Sequence, residues 1–208
     1  MAILADENTR IIVQGITGRE AVTFTKDMID YGSKVVAGVT PGKGGQSVYG
    51  VPVFNTVYEA LKAHPADASV ISVPPAMIKG AALEALSNGI KLLVLVAERV
   101  PRKDTIEILE VARSNDAVVI GPNTLGMINP HTVKIGMAGG PVGNVKSAYM
   151  PGTVAVASRS GGMTTEIANL LTINGIGQST CISIGGDPVV GANFLDLIPR
   201  FDKDPGTE

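Results

Sequence analysis

Along the first 120 residues, apolar runs of strand length alternate with stretches of helical period. The runs lie at residues 10–14, 34–39, 51–54, 68–72, 91–96 and 118–120. Few show the strict in–out alternation of a sheet with one wet face, so they read as strands covered on both sides. A helical stretch runs from Arg19 to about Ile29. Another, at 76–87, places Met77, Ile78, Ala81, Ala82 and Leu86 on one stripe and stops at Asn88-Gly89. Thr56 with Glu59, and Asp104 with Glu107, have the spacing of a capping box. Strand and helix repeated with short links predict an α/β fold with a doubly wound parallel sheet.

That rhythm breaks at 121–151, where Pro122, Gly126, Pro130, Gly136, Gly139, Gly140, Pro141 and Gly143 crowd together. Such density predicts an interdomain connection. A second series then opens with a strand at 153–157 and a helix whose stripe is Met163, Ile167, Leu170 and Leu171, closed by Gly175. A strand at 180–184 and a helix from Asn193 to about Phe201 follow. Two strands with so few helices bury little core, so this unit is expected to be incomplete. The division predicted is 1–122, a connection at 123–151, and 152–208.

Composition sharpens this picture. Hydrophobic residues are 45% and charged residues 17%, as in globular domains, while aromatics are 4% with no Trp. A core of Val, Ile, Leu and Ala suits a sheet sandwiched between helices. A net charge of −2 and the lack of any basic run argue against a nucleic-acid partner. No apolar stretch is long enough to span a membrane, and the start of the chain lacks a secretory pattern. The single cysteine, Cys181, rules out an internal disulfide framework, and a cytoplasmic setting is expected. Mid-strand, it reads as a buried small apolar side chain. His64 and His131 read as surface residues, and no metal-ligand spacing is present.

Four loops carry candidate chemistry. Gly15-Ile16-Thr17-Gly18 joins the first strand to the first helix, where backbone N–H groups can approach a phosphate; a tight turn without ligand is the plainer alternative. The three-glycine dinucleotide fingerprint is missing, since Arg19, Glu20 and Ala21 follow. After the second strand, Thr40-Pro41-Gly42-Lys43-Gly44-Gly45 sets a lysine among glycines, and no acid stands there to hold a ribose. That suits a ligand with several phosphates, against the alternative of a solvated loop lysine. Glu98 follows the strand at 91–96 and either faces the ligand crevice or pairs with Arg99 or Arg102. Ser158 to Glu166 places small hydroxyl residues and glycines at a helix start, an anion site or ordinary capping by Ser160. Gly185-Gly186-Asp187-Pro188 adds a second small-residue loop.

Taken together, residues 14–18, 38–45, 50–56, 121–123, 158–161 and 177–188 resemble the alpha subunits of succinyl-CoA synthetase (succinate–CoA ligase), in order along the whole chain. The resemblance implies a Rossmann-like domain for coenzyme A, then a partial flavodoxin-like ligase domain. It implies coenzyme A contacts at Thr17, Gly18, Arg19, Glu20, Pro41, Lys43, Val73, Val96, Ala97 and Glu98. For phosphate or acid it implies Ser158, Ser160, Gly161, Gly162 and Thr165, with the helix after Ser160 aimed at a phosphohistidine. A beta-type ATP-grasp subunit would carry ATP or GTP with Mg2+. The reaction implied, a step of the tricarboxylic acid cycle, joins a dicarboxylic acid such as succinate to coenzyme A through an acyl phosphate. The setting implied is the cytoplasm, or the mitochondrial matrix for a processed form.

Departures from the family pattern are equally specific. Its phosphorylated histidine falls beyond Glu208, so this chain alone is expected to be inactive, with no catalytic residue of its own. Thr165 replaces a tyrosine, Thr124-Leu125 replaces Cys-Pro, and Arg19 to Ala21 replaces a smaller stretch. A citryl-CoA or malate–CoA ligase subunit and a non-catalytic coenzyme A module stay open beside the succinate reading. An NAD-linked oxidoreductase is disfavoured by the missing acid.

Overall fold

The structure is a computed structural model and describes residues 3–208. Its first sheet is seven-stranded, in the order β3-β4-β2-β1-β5-β6-β7. The strands are β1 (Arg10–Gln14), β2 (Lys34–Val39), β3 (Ser47–Val48), β4 (Val51–Phe54), β5 (Ala68–Ile71), β6 (Leu92–Leu95) and β7 (Val118–Ile120). All neighbours are parallel except the β3–β4 pair. Every residue of β5 and β6 is buried, the both-faces burial expected from their unbroken apolar runs. Helices α1 (Arg19–Tyr31), α2 (Val57–Ala63), α3 (Ile78–Ser87) and α4 (Arg102–Ser114) make the crossovers.

The second sheet is four-stranded, in the order β10-β11-β8-β9. It comprises β8 (Gly126–Asn129), β9 (Val133–Gly136), β10 (Pro151–Ser158) and β11 (Gln178–Ser183), with α5 (Val142–Ala148), α6 (Gly161–Ile173) and α7 (Phe194–Asp202) around it. Residues 123–151, expected as a connection, therefore carry an antiparallel hairpin and a helix. The glycines and prolines there mark the ends of short strands. The hairpin is apolar at Met127, Ile128, Val133 and Ile135, all buried, and β8 pairs with β11. It supplies the missing half of a sheet expected from two strands alone. One continuous core then runs from Ile11 and Val13 through Met127 and Ile135 to Leu197 and Phe201. Ser33 at the end of α1 fastens β9, its Oγ donating to the Lys134 carbonyl at 2.7 Å and accepting from the Lys134 N–H at 3.0 Å.

Several local expectations change. Thr56 caps α2 by accepting from the Glu59 N–H, but the Glu59 carboxylate reaches the N–H of Asn55 rather than of Thr56. No capping box forms at Asp104, because α4 already begins at Arg102 after Pro101, and Glu107 instead pairs with Lys79 at 2.7 Å. Met77 sits in a short 3-10 turn and is 55% exposed; Ala85 joins Ile78, Ala82 and Leu86 on the buried face of α3. On α6 the expected stripe splits: Met163, Ile167 and Leu170 are exposed, while Leu171 packs partly buried against the core on the same face as buried Thr164 and Ala168. Gln178 Nε2, on β11, donates to the Ala168 carbonyl and ties this face of α6 to the sheet, while Thr164 Oγ1 donates back to the Ser160 carbonyl within its own helix.

Candidate functional site

In a doubly wound sheet the ligand crevice opens at the carboxyl ends of the strands, where the winding reverses. Here that point lies between β1, which continues through β2, and β5, which continues through β6. A cavity of about 890 Å³ opens there, within the range of small-molecule sites. Its walls are residues 18–21 at the start of α1, 72–75 after β5, 96–99 after β6 and 123–125 after β7. Met137, after β9, and residues 161–162, the start of α6, close the other side.

Gly15 makes this approach possible. Its φ is +78°, and a Cβ on it would stand 2.2 Å from the Ser72 carbonyl oxygen, so the loop after β1 lies directly on the loop after β5. Gly18 then N-caps α1 in an extended conformation, with no side chain bonded across the helix end. The first backbone N–H groups of α1 are thus left to a ligand, and the helix dipole favours an anion beside them. Arg19 and Glu20, both exposed, stand at this wall.

The lysine loop is preformed but stands beside the cavity. The carboxamide oxygen of Asn55 accepts from the N–H of Gly42 at 2.9 Å and of Gly44 at 3.0 Å, and the Lys43 N–H donates to the Thr40 carbonyl. The Thr17 and Thr40 hydroxyls, 3.3 Å apart, tie this loop to the one after β1. Thr17, Pro41 and Lys43 do not wall the cavity, and the Lys43 side chain is exposed. Gly18, Arg19, Glu20, Val73, Val96, Ala97 and Glu98 do wall it. Glu98 also lies 3.9 Å from Arg99, with both side chains largely exposed.

At α6 the division is similar. Gly161 and Gly162 reach the cavity, whereas Ser158, Ser160 and Thr165 bond locally. Ser160 Oγ accepts from the Met163 N–H at 3.4 Å as the N-cap, and Ser158 Oγ accepts from the Ser160 N–H at 3.2 Å. The Thr165 hydroxyl lies 2.9 Å from that of buried Tyr149, whose phenol burial pushes up to about 12. Loop 185–188, expected as a second anion loop, lines no part of the cavity.

Ser72, Pro74, Pro75, Arg99, Asn123, Thr124, Leu125 and Met137 also line it and were not singled out as site residues from the sequence. Strand-end position marks Ser72 to Pro75 and Asn123 in hindsight; nothing local marks Met137. His131 is exposed in the β8–β9 turn, its N–H donating to the Tyr31 hydroxyl. His64, expected at the surface, is half-buried at the end of α2 with its ring tilted against Phe54.

Residues 6–99 match the CoA binding domain family and residues 157–208 the CoA-ligase family. The ADP-forming succinate–CoA ligase subunit alpha of Methanothermobacter thermautotrophicus is 45% identical over 206 residues, covering 99% of this chain and 68% of that protein. The ADP-forming sulfoacetate-CoA ligase subunit SqwL of an Acholeplasma species is 44% identical over 208 residues, covering 100% of this chain and 69% of that one. Among solved structures, ATP citrate lyase from Methanothrix soehngenii, in complex with citrate and coenzyme A, superposes with a TM-score of 0.89 at 29% identity. That match covers 99% of this chain and 36% of the lyase.

Proposed function

Because this chain belongs to the family of succinate–CoA ligase alpha subunits, we propose that its strand-end cavity holds coenzyme A for an ADP-forming acid–CoA ligase. The observation that carries the reading is the uncapped start of α1, set by Gly15 and Gly18 at the mouth of a cavity of about 890 Å³. Such an end favours the diphosphate of a pantetheine nucleotide. Lys43, on the adjoining loop, offers a positive charge to a phosphate that extends past the cavity rim. The start of α6 gives the opposite wall a second helix N-terminus, which favours the acyl or phosphoryl end of the reaction. This chain's residues bind and orient the thiol carrier. ATP or GTP with Mg2+ belongs to a beta-type ATP-grasp subunit in a hetero-oligomer.

The acid is small and carries two anionic ends. Succinate and sulfoacetate, named in the relatives, share that chemistry. Among the described residues no helix is long and apolar enough to cross a membrane; we place the assembly in the cytoplasm.

Two measurements test the proposal. Calorimetric titration with coenzyme A and NAD side by side is expected to give saturable binding of coenzyme A alone; binding of NAD alone would overturn it. Mixed with a beta-type subunit and the segment that completes its relatives, the chain is expected to release ADP beyond the single equivalent that phosphorylates the histidine only when coenzyme A and a dianionic acid are both present. Sustained acid-independent ADP release, many equivalents per site, would refute the ligase role.

A further inference from the structure

Two wall segments of the cavity converge on one side chain that lines none of it. Asp187, in the loop between β11 and α7, is buried. Its Oδ1 accepts from the Arg99 N–H at 3.3 Å and from Asn123 Nδ2 at 3.1 Å, and its Oδ2 accepts from the Val100 N–H at 3.2 Å. Two donors belong to the turn after β6, the third to the turn after β7. Arg99 and Asn123 both hold left-handed backbone, with φ of 60° and 58°, which side-chain-bearing residues keep only where their surroundings hold them.

The same loop is gripped from its other side. Arg159, just before α6, donates from Nε to the Gly185 carbonyl at 3.2 Å and from Nη2 to the Asp187 carbonyl. Gly185 sits so close to the first sheet's last turn that a Cβ would meet the Pro122 carbonyl oxygen at 2.3 Å. One face of the loop thus holds the Glu98–Arg99 and Asn123 walls by an ionised acceptor. The other holds the approach to Gly161 and Gly162 by an ionised donor. Bonds with one charged member are the stronger kind.

We infer that Asp187 and Arg159 form a clamp of positioning residues that sets the separation between the strand-end wall and the start of α6. They act on the ligand only through these walls. The inference rests on the reading that the cavity holds coenzyme A. A loop anchor without this role would lower global stability and leave ligand affinity and local exchange alone.

The variants Asp187→Asn and Arg159→Ala test it. The amide keeps the carboxylate's shape, but whichever way it turns, its NH2 faces an N–H donor, so one side of the clamp opens. Wild type, both single variants and the double variant are titrated with coenzyme A, and hydrogen exchange is followed at 97–100, 121–125 and 159–163. Each single change is expected to weaken binding at least roughly tenfold, and the double no more than about the weaker single, because one loop carries both effects. Exchange is expected to quicken in segments on both sides of the loop in either single variant. Affinities within about twofold of wild type, with unchanged exchange, would overturn the clamp. Should Asp187→Asn not fold, the exposed Arg159 site supplies both readouts. Wild type that fails to bind coenzyme A removes the cavity's proposed ligand, while the exchange rates still decide the clamp.

Discussion

The Cα of Gly15 lies so near the Ser72 carbonyl oxygen that a Cβ would stand 2.2 Å from it. The ends of β1 and β5 therefore meet backbone to backbone where the cavity begins. At φ +78°, a side chain adds strain to the collision. Gly15→Ala is expected to cost about 2–4 kcal/mol, read from the urea midpoint, and to abolish coenzyme A binding. An alanine variant with wild-type midpoint and affinity would show that the two loops part freely.

Lys43 stands outside the cavity walls on a loop fixed by Asn55. Its contribution is then a screened charge rather than a buried contact. Lys43→Ala is expected to weaken coenzyme A about fivefold to tenfold at low salt, with the loss shrinking near 1 M salt, where the screening length is about 3 Å. Unchanged affinity at low salt would remove the lysine from the site.

Lys134 lies fully buried on β9, its ammonium donating to the Gly140 carbonyl. Burial brings its pKa down from 10.5 to about 8, with the charge of Asp27 opposing. Below about pH 8 both folded and unfolded chains hold the proton, and the fold bears the cost of the buried charge. From there towards 10.5 the folded chain sheds the proton first, so the unfolded state binds more protons and stability rises with pH. Urea unfolding is expected to show wild type gaining about 2 kcal/mol between about pH 7 and 10 relative to Lys134→Met, a comparison that cancels the opposite trend of the raised Cys181 thiol and Tyr149 phenol. Parallel wild-type and Lys134→Met profiles would contradict the assignment.

Cys181, wholly buried on β11, has its thiol pushed up to about 12 by that burial. Only the thiolate attacks disulfide reagents. Labelling of the native protein is expected to be limited by unfolding and complete at once in denaturant. Fast labelling without denaturant would mean that β11 opens locally.

Much of the first sheet was legible in the sequence because its strands need no cross-chain information. A strand buried on both faces, such as β5 or β6, is simply a short apolar run between polar turns. The same logic placed Val96, Ala97 and Glu98 at a strand mouth, and the cavity opens there. Helix α6 misled, because its apolar residues suggested a buried stripe while the Gln178 carboxamide holds the face of Ala168 inward. Gln178 is ten residues from the Ala168 carbonyl that it holds, beyond the reach of helical periodicity.

What the chain determined by itself was the order of strands and helices and the loops rich in glycine, since burial pattern and turn chemistry are local. Only the tertiary structure decided which loops share a cavity. It turned residues 126–136 from a supposed link into half of a sheet, and it set Asp187 against Arg99, Val100 and Asn123. The Asp187–Asn123 bond joins residues 64 apart, and no spacing along a chain encodes which distant donors a buried carboxylate will meet.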